Sequence, residues 1–535
     1  MPATPGYTGL APPGYTGLAP PGYAAPMSAT LRLVVCAALL TACNLIQGTG
    51  SDTSAHDTGA TSTGSTGTTD DAVPTSGDAS TAFGSDTASE PTSGGTSTDT
   101  TSEPTTGEPV DILERLLEID GLEVEERESP VAGYRYFVMT FMQPADHADP
   151  DGLKFAQRLV LLHRDSSAPL VLATAGYFID PDKPGLGELA TLLAANQLLV
   201  EHRFFLPSRP EPADWATLTI EQAAADLHAI TGAFKPVYPA KWISTGASKG
   251  GMTSVYFRRF YPEDVDGTVA YVAPQSYGSS DPRYLDFVAG LGPADCRQAL
   301  ADVQRELLLR RPAMITRMQA QAVDGYTYDL LGLDRALETA VVELPFTFWQ
   351  YGDEVDCLAV PGPGASDDEL WTFISDYNSP AYWSDYQTEM FEPYFWQAAV
   401  QLGYPALDES NVADLLLYPG GDVAASYVLP GKVPVFDAAA MPDIADWLTA
   451  EGRAMLFIYG ENDPYTAAAF EIEGAQDTYR FIAPGENHGA RILDLVPAER
   501  DQALAALADW SGVTPKIPRS RPPAQDRHDL RRQPR

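Results

Sequence analysis

Cysteine, histidine and positive charge are all scarce in this chain. Four cysteines in 535 residues exclude a small scaffold stapled by disulfides. Neither they nor the seven histidines gather with metal-ligand spacing, and the chemistry argued below needs no metal or organic cofactor. Lys and Arg total 34 against 73 Asp and Glu, a formal net charge of −39, and no basic stretch interleaved with aromatics interrupts the part that reads as folded. That balance argues against a nucleic-acid partner. The compact apolar run inside Met27–Cys43 is too short to cross a bilayer.

That run has the form of an export signal: one arginine, an apolar stretch, then small residues before a cysteine. Leu40-Thr41-Ala42-Cys43 resembles a bacterial lipobox, which makes Cys43 the candidate lipidated residue and a membrane surface the partner; the alternative is plain cleavage near Ala42. Upstream, Pro-Gly-Tyr-Thr-Gly-Leu-Ala-Pro stands at 5–12 and again at 13–20, and reads as an extension ahead of a misassigned start. From Asn44 to about Pro109 the chain is nearly all Ser, Thr, Gly, Asp, Ala and Glu, too polar to offset its ordering entropy. The division expected is therefore extension and lipoprotein-type signal (1–42), disordered tether (43–109), first core segment (110–280), helical cap (281–445), second core segment (446–512) and a basic disordered tail (513–535). With two cysteines in the signal, Cys296 and Cys357 remain, and an isolated pair in an exported protein reads as one disulfide.

Gly246-Ala247-Ser248-Lys249-Gly250 is a Gly-x-Ser-x-Gly elbow between an apolar segment at Trp242-Ile243 and a helix-like stretch running to Tyr261-Pro262. Such an elbow holds a serine in strained geometry at a sharp strand-to-helix turn, with glycines where a Cβ would collide. Strand candidates at Tyr136–Met142, Arg158–Leu162, Pro169–Ala173, Gln197–Val200, Lys241–Ser244, Thr268–Val272, Met455–Tyr459 and Tyr479–Ile482 alternate with helical patterns such as Ile220–Phe234. The fold class expected is α/β: an α/β-hydrolase, a mostly parallel sheet covered on both faces, with an inserted, mainly helical cap. Asp295–Ala320 and the tryptophans Trp349, Trp371, Trp383 and Trp396 mark the cap, where aromatics more often pack than bind.

In this fold the chain order is nucleophile, acid, histidine. Only His488 and His528 follow Ser248, and His528 sits in the Pro/Arg-rich tail. His488 lies in the loop after Tyr479–Ala483; Asp463, with Glu461 second, lies in the loop after Ala454–Tyr459. The histidine would take the serine proton and the carboxylate would fix its tautomer. The oxyanion hole would use the backbone N–H of Lys249 and a second N–H from Ala175-Gly176-Tyr177-Phe178, with Tyr177 first choice and Gly176 or Phe178 as alternatives.

Gln143-Pro144-Ala145-Asp146-His147, Phe155-Ala156-Gln157-Arg158, Glu201-His202-Arg203-Phe204-Phe205 and Leu218–Ala223 with Asp226, together with the elbow and Gly485-Glu486-Asn487-His488-Gly489, form an ordered set over about 112–510. This set resembles the exported bacterial tripeptidyl aminopeptidases, α/β-hydrolase serine peptidases related to prolyl carboxypeptidase. The resemblance implies release of short peptides, typically tripeptides and often after proline, from a free amino terminus. It assigns catalysis to Ser248, Asp463 and His488, and leaves His147 and His202 as hydrogen-bonded structural histidines.

An aminopeptidase must also capture a substrate ammonium, a task suited to buried carboxylates. Glu343, acidic within the apolar Val342–Phe346, is the first candidate, with Asp385 and Glu389 behind it. Two rival functions remain: a carboxylesterase or lipase with the same triad, and an inactive surface binding protein on a hydrolase scaffold.

Overall fold

The computed structural model describes residues 110–518. The export signal with Cys43, the tether, His528 and the stretch 519–535 lie outside the described residues. The strands are β1 Leu122–Arg127, β2 Arg135–Pro144, β3 Lys154–His163, β4 Leu170–Thr174, β5 Asn196–Val200, β6 Trp242–Ala247, β7 Gly267–Tyr271, β8 Arg453–Gly460 and β9 Gln476–Ala483. They form one nine-stranded sheet in the order β1-β2-β3-β5-β4-β6-β7-β8-β9. The pairings β1–β2, β2–β3 and β3–β5 are antiparallel; from β5 through β4, β6, β7, β8 to β9 every pairing is parallel.

Helices α1 Ile112–Leu117, α2 Glu188–Leu193, α3 Ile220–Phe234 and α4 Lys249–Phe260 are threaded among the first strands; α12 Ala440–Glu451 and α13 Pro497–Ser511 flank the last two. Side chains alternate across the sheet, as the strand period of two requires. Leu170, Leu172 and Trp242 pack beneath α3, through Leu227, Ile230 and Phe234. Val171, Ile243 and Leu456 face the other way, onto α2 and α13 through Leu189, Leu507 and Trp510. A parallel sheet buried on both faces accounts for the continuous apolar runs of its strands. This topology is the α/β-hydrolase fold.

Between β7 and β8 come α5 Arg283–Gly290, α6 Ala294–Leu309, α7 Arg311–Ala320, α8 Leu333–Val342, α9 Leu344–Tyr351, α10 Asp367–Asn378 and α11 Asp385–Gln397. Their shared core includes Trp349, Trp383, Phe348, Phe373 and Tyr404, so the cap tryptophans are largely packing. Cys296 on α6 and Cys357 form a disulfide, Cα–Cα 5.4 Å, which ties two parts of the cap.

The structure departs from the sequence reading in four places. The edge strand β1 carries Glu123, Glu125, Glu126 and Arg127, so its solvated face hides the apolar signal. The helical stretch 295–320 is two helices, because Pro312 opens a new first turn. The 445/446 boundary cuts α12, yet Met441, Ile444, Trp447 and Leu448 all pack with Phe457 of β8 and Val255 of α4, so the whole helix belongs with the sheet. The stretch assigned to the tail from 513 begins attached: the Lys516 N–H donates to the Leu192 carbonyl at 2.7 Å.

Candidate active site

Ser248 joins β6 to α4 with φ 53° and ψ −126°, a conformation that L residues rarely adopt. What holds it there is packing and a hydrogen bond. A Cβ on Gly250 would collide with the Thr174 carbonyl oxygen, so the first turn of α4 can lie directly on the end of β4 only because that residue is glycine. The Ser248 N–H donates to the Tyr271 carbonyl of β7 at 2.9 Å. The Lys249 N–H, in the first helical turn, has no intrahelical acceptor and is available to an oxyanion.

The loop after β4 lies against the elbow. Gly176, at φ 77°, brings its backbone so near the Lys249–Gly250 peptide that no side chain would fit. The loop is pinned from below: the His202 N–H donates to the Tyr177 carbonyl at 3.0 Å, and the Ile179 N–H donates to Glu201 at 2.9 Å. Burial raises the Glu201 carboxyl to about 7, partly opposed by the Ser208 hydroxyl it accepts. The Tyr177 side chain, which the sequence left out of account, is buried against Phe205, Phe391 and Tyr394, and its hydroxyl faces Ser248. Burial drives that phenol well above its ordinary range, so it stays a donor.

Asp463 and His488 are brought together. Asp463 follows β8, is fully buried, and its Oδ2 lies 2.7 Å from Nδ1 of His488, in the loop after β9. Its other oxygen accepts the Tyr465 N–H at 3.0 Å. With Nδ1 committed to the carboxylate, Nε2 is the ring nitrogen that remains, and it is buried without a hydrogen-bond partner among the described residues. Glu461, the second candidate, is exposed and instead accepts the Gly485 N–H.

The Lys249 side chain is also buried, with its ammonium 5.8 Å from the ring centroids of both Tyr177 and Phe205. Burial depresses it well below the ordinary lysine range, and burial followed by the Lys249 charge does the same to His202. His202 and His147 have structural partners, the Arg203 carbonyl at 2.9 Å and Asp226 at 2.7 Å. Among the amine candidates, Glu389 is exposed. Asp385 organises a turn by accepting from the Thr327 hydroxyl and from the N–H groups of Asp329 and Leu330. Glu343 is 1% exposed inside the cap, where Asn378 and Tyr404 donate to it at 3.4 and 3.5 Å. Sequence reasoning also missed Tyr351 and Tyr465, whose rings flank His488 at 6.1 and 4.9 Å; each lies next to a recognisable motif or inside an apolar run, with no pattern to single it out.

Residues 103–529 match the family model described as PS-10 peptidase S37. The chain is 44% identical over 413 residues to a prolyl tri/tetrapeptidyl aminopeptidase of Streptomyces mobaraensis, covering 76% of this chain and 86% of that protein. The chain belongs to the peptidase S37 family. It is a serine peptidase. This S37 peptidase is also 36% identical, over 120 residues, to a putative serine protease, pcp-1, of Caenorhabditis elegans, covering 19% of this chain and 21% of that one. Among solved structures, a proline iminopeptidase of Mycobacterium smegmatis overlaps 72% of this chain and 99% of its own at 13% identity and a TM-score of 0.29. The strand order and the elbow, rather than that overlap, carry the fold assignment.

Proposed function

We propose that this S37 peptidase is an exported exopeptidase that removes short peptides, chiefly tripeptides and with proline favoured before the scissile bond, from free amino termini, and that Ser248, Asp463 and His488 form its triad. The observation that carries the reading is His488: bound at Nδ1 by a buried carboxylate, unpartnered at Nε2, and placed at the carboxyl end of the sheet whose β6 presents Ser248 in a strained turn. In the proposed reaction Nε2 takes the Ser248 hydroxyl proton as Oγ attacks the scissile carbonyl. The Lys249 and Tyr177 N–H groups receive the oxyanion. The imidazolium then protonates the leaving amine, and water, deprotonated by the same nitrogen, releases the peptide from the acyl-serine.

The cap supports a short substrate. Tyr394 packs 5.9 Å from Tyr177 and bears electrostatically on Tyr404, which donates to Glu343. A line of phenols thus leads from Ser248 toward a buried carboxylate, and three extended residues span about 10 Å. Glu343 is the proposed anchor for the substrate ammonium. The activity named for the Streptomyces relative supports the same substrate class.

The test is hydrolysis of Ala-Ala-Pro-p-nitroanilide and its N-acetylated twin by the full chain. Cleavage of the free amine alone is expected. Equal cleavage of both would make it an endopeptidase or loose amidase, and turnover of p-nitrophenyl esters alone would put the esterase reading first. Ser248→Ala should lower turnover on the order of 10³-fold or more with the fold intact. Export and lipidation at Cys43 rest on the signal pattern and fit a disulfide-bearing domain. Cys43→Ala should move the protein from membrane to soluble fraction, and an unchanged distribution would remove the anchor.

A further inference from the structure

The loop that carries His488 is held from two sides. Toward the sheet, the Asn462 N–H donates to the Glu486 carbonyl at 2.8 Å, and the Asn462 side chain donates to the Gly485 carbonyl at 3.2 Å. Toward the cap, it meets the last turn of α9. The final carbonyls of a helix have no intrahelical partner. Here the Gln350 carbonyl accepts the His488 N–H at 3.0 Å, and the carbonyl of Gly352, which caps α9, accepts Nδ2 of Asn487 at 3.0 Å. The same Asn487 side chain turns its Oδ1 to the Gly489 N–H at 3.0 Å. One amide therefore closes the turn around His488 and fastens that turn to the cap.

We propose that Asn487 is a positioning residue through which the end of α9 in the cap sets the orientation of the His488 ring. The proposal rests on the triad reading above. Asp463 fixes Nδ1, but one hydrogen bond leaves the ring free to swing about it; the second point of control is the backbone, and the anchors at Asn487 and His488 themselves come from the end of α9. The negative end of that helix also faces the loop where an imidazolium forms during turnover, the favourable sense of the helix dipole. The Tyr351 ring stands edge-on to the imidazole at 90°, and its hydroxyl accepts from Gln350 at 2.9 Å, so the residues that anchor the loop also wall the base. A cap that shifts on admitting substrate therefore moves the base with it, and correct seating of the cap becomes a condition for proton transfer.

Two substitutions separate the cap contact from the turn. Asn487→Ala removes both hydrogen bonds. Asn487→Asp keeps the acceptor for Gly489 and sets a carboxylate against the Gly352 carbonyl. Each variant is assayed as the full chain on the free-amine tripeptide p-nitroanilide, with kcat expressed per site titrated to completion by a serine-directed phosphonate. Readings are taken at the alkaline plateau, where an added charge's effect on the base's titration drops out. Expected is a roughly ten- to hundredfold fall in kcat in both variants, because small misplacements of a reacting group cost that much, with KM within about twofold and the thermal midpoint near that of the wild type. Wild-type kcat per site in Asn487→Asp would show that only the turn matters and would overturn the proposal; so would a loss confined to KM. If Asn487→Ala folds poorly, Asn487→Asp alone decides between these outcomes. Ser248→Ala keeps the two readings apart: activity surviving there sinks the triad, whereas a dead Ser248→Ala beside normal Asn487 variants sinks the latch alone.

Discussion

A serine at φ 53° stores about 1–3 kcal/mol of backbone strain, and it persists because the Tyr271 carbonyl and the close seat of Gly250 on Thr174 leave the turn no alternative. Glu343 poses the opposite question at the same scale, since a carboxylate 1% exposed that accepts from an amide and a phenol is either a structural acceptor or the seat of a cation. Glu343→Gln keeps the size and removes the charge. A charge-assisted hydrogen bond contributes about 1.5–3 kcal/mol, so kcat/KM on free-amine tripeptides should fall roughly ten- to hundredfold. Turnover of a small p-nitrophenyl ester, which carries no ammonium, should be unaffected, and equal proportional loss on both substrates would mean that Glu343 only packs the cap.

At the scale of elements, the Cys296–Cys357 bond joins α6 to the turn that follows α9 across a separation of 61 residues. In the chain-entropy account a loop of that length contributes about 4 kcal/mol, so Cys296→Ala/Cys357→Ala should unfold at clearly lower denaturant, and reductant should shift the wild type but not the variant. Coincident unfolding curves for the two proteins would contradict this. The central strands were legible because a parallel sheet buried on both faces demands apolar runs, and α3 was legible to the residue from its helical pattern. The solvated edge strand β1 offered no such run. The elbow, Asp463 and His488 were legible because each follows a strand in a fixed chain order. Asn487 and Gly352 lie 135 residues apart, and the Tyr177 hydroxyl finds Ser248 only because Phe391 and Tyr394 of the cap pack its ring. No periodicity carries contacts of that kind; they come into being when the cap closes on the sheet.

For the whole molecule, two buried groups tilt stability with pH in opposite directions. Glu201 ordinarily titrates near 4.5 and is raised by burial to about 7. Between those values the folded state keeps a proton that the unfolded chain releases, so this group's contribution to stability is lost as pH rises through the window. His163, 3.0 Å from the Tyr238 hydroxyl, is lowered by burial from 6.5 to about 4. There the unfolded chain takes up a proton that the folded state refuses, so its contribution is complete above pH 6.5 and is lost as pH falls toward 4. Between these two groups the slopes oppose one another from about 4.5 to 6.5. Glu201→Gln retains an acceptor for the Ile179 N–H, turns its amide N–H toward the Ser208 hydroxyl and cannot ionise. Its thermal midpoint, measured against the wild type from about pH 4.5 to 7, should gain on the wild type by a few degrees as pH rises, because only the wild type must bury a charge beneath the Tyr177 loop. Parallel midpoint curves would show that Glu201 titrates alike in both states, and would remove it as the acid whose neutral form supports the loop against the elbow.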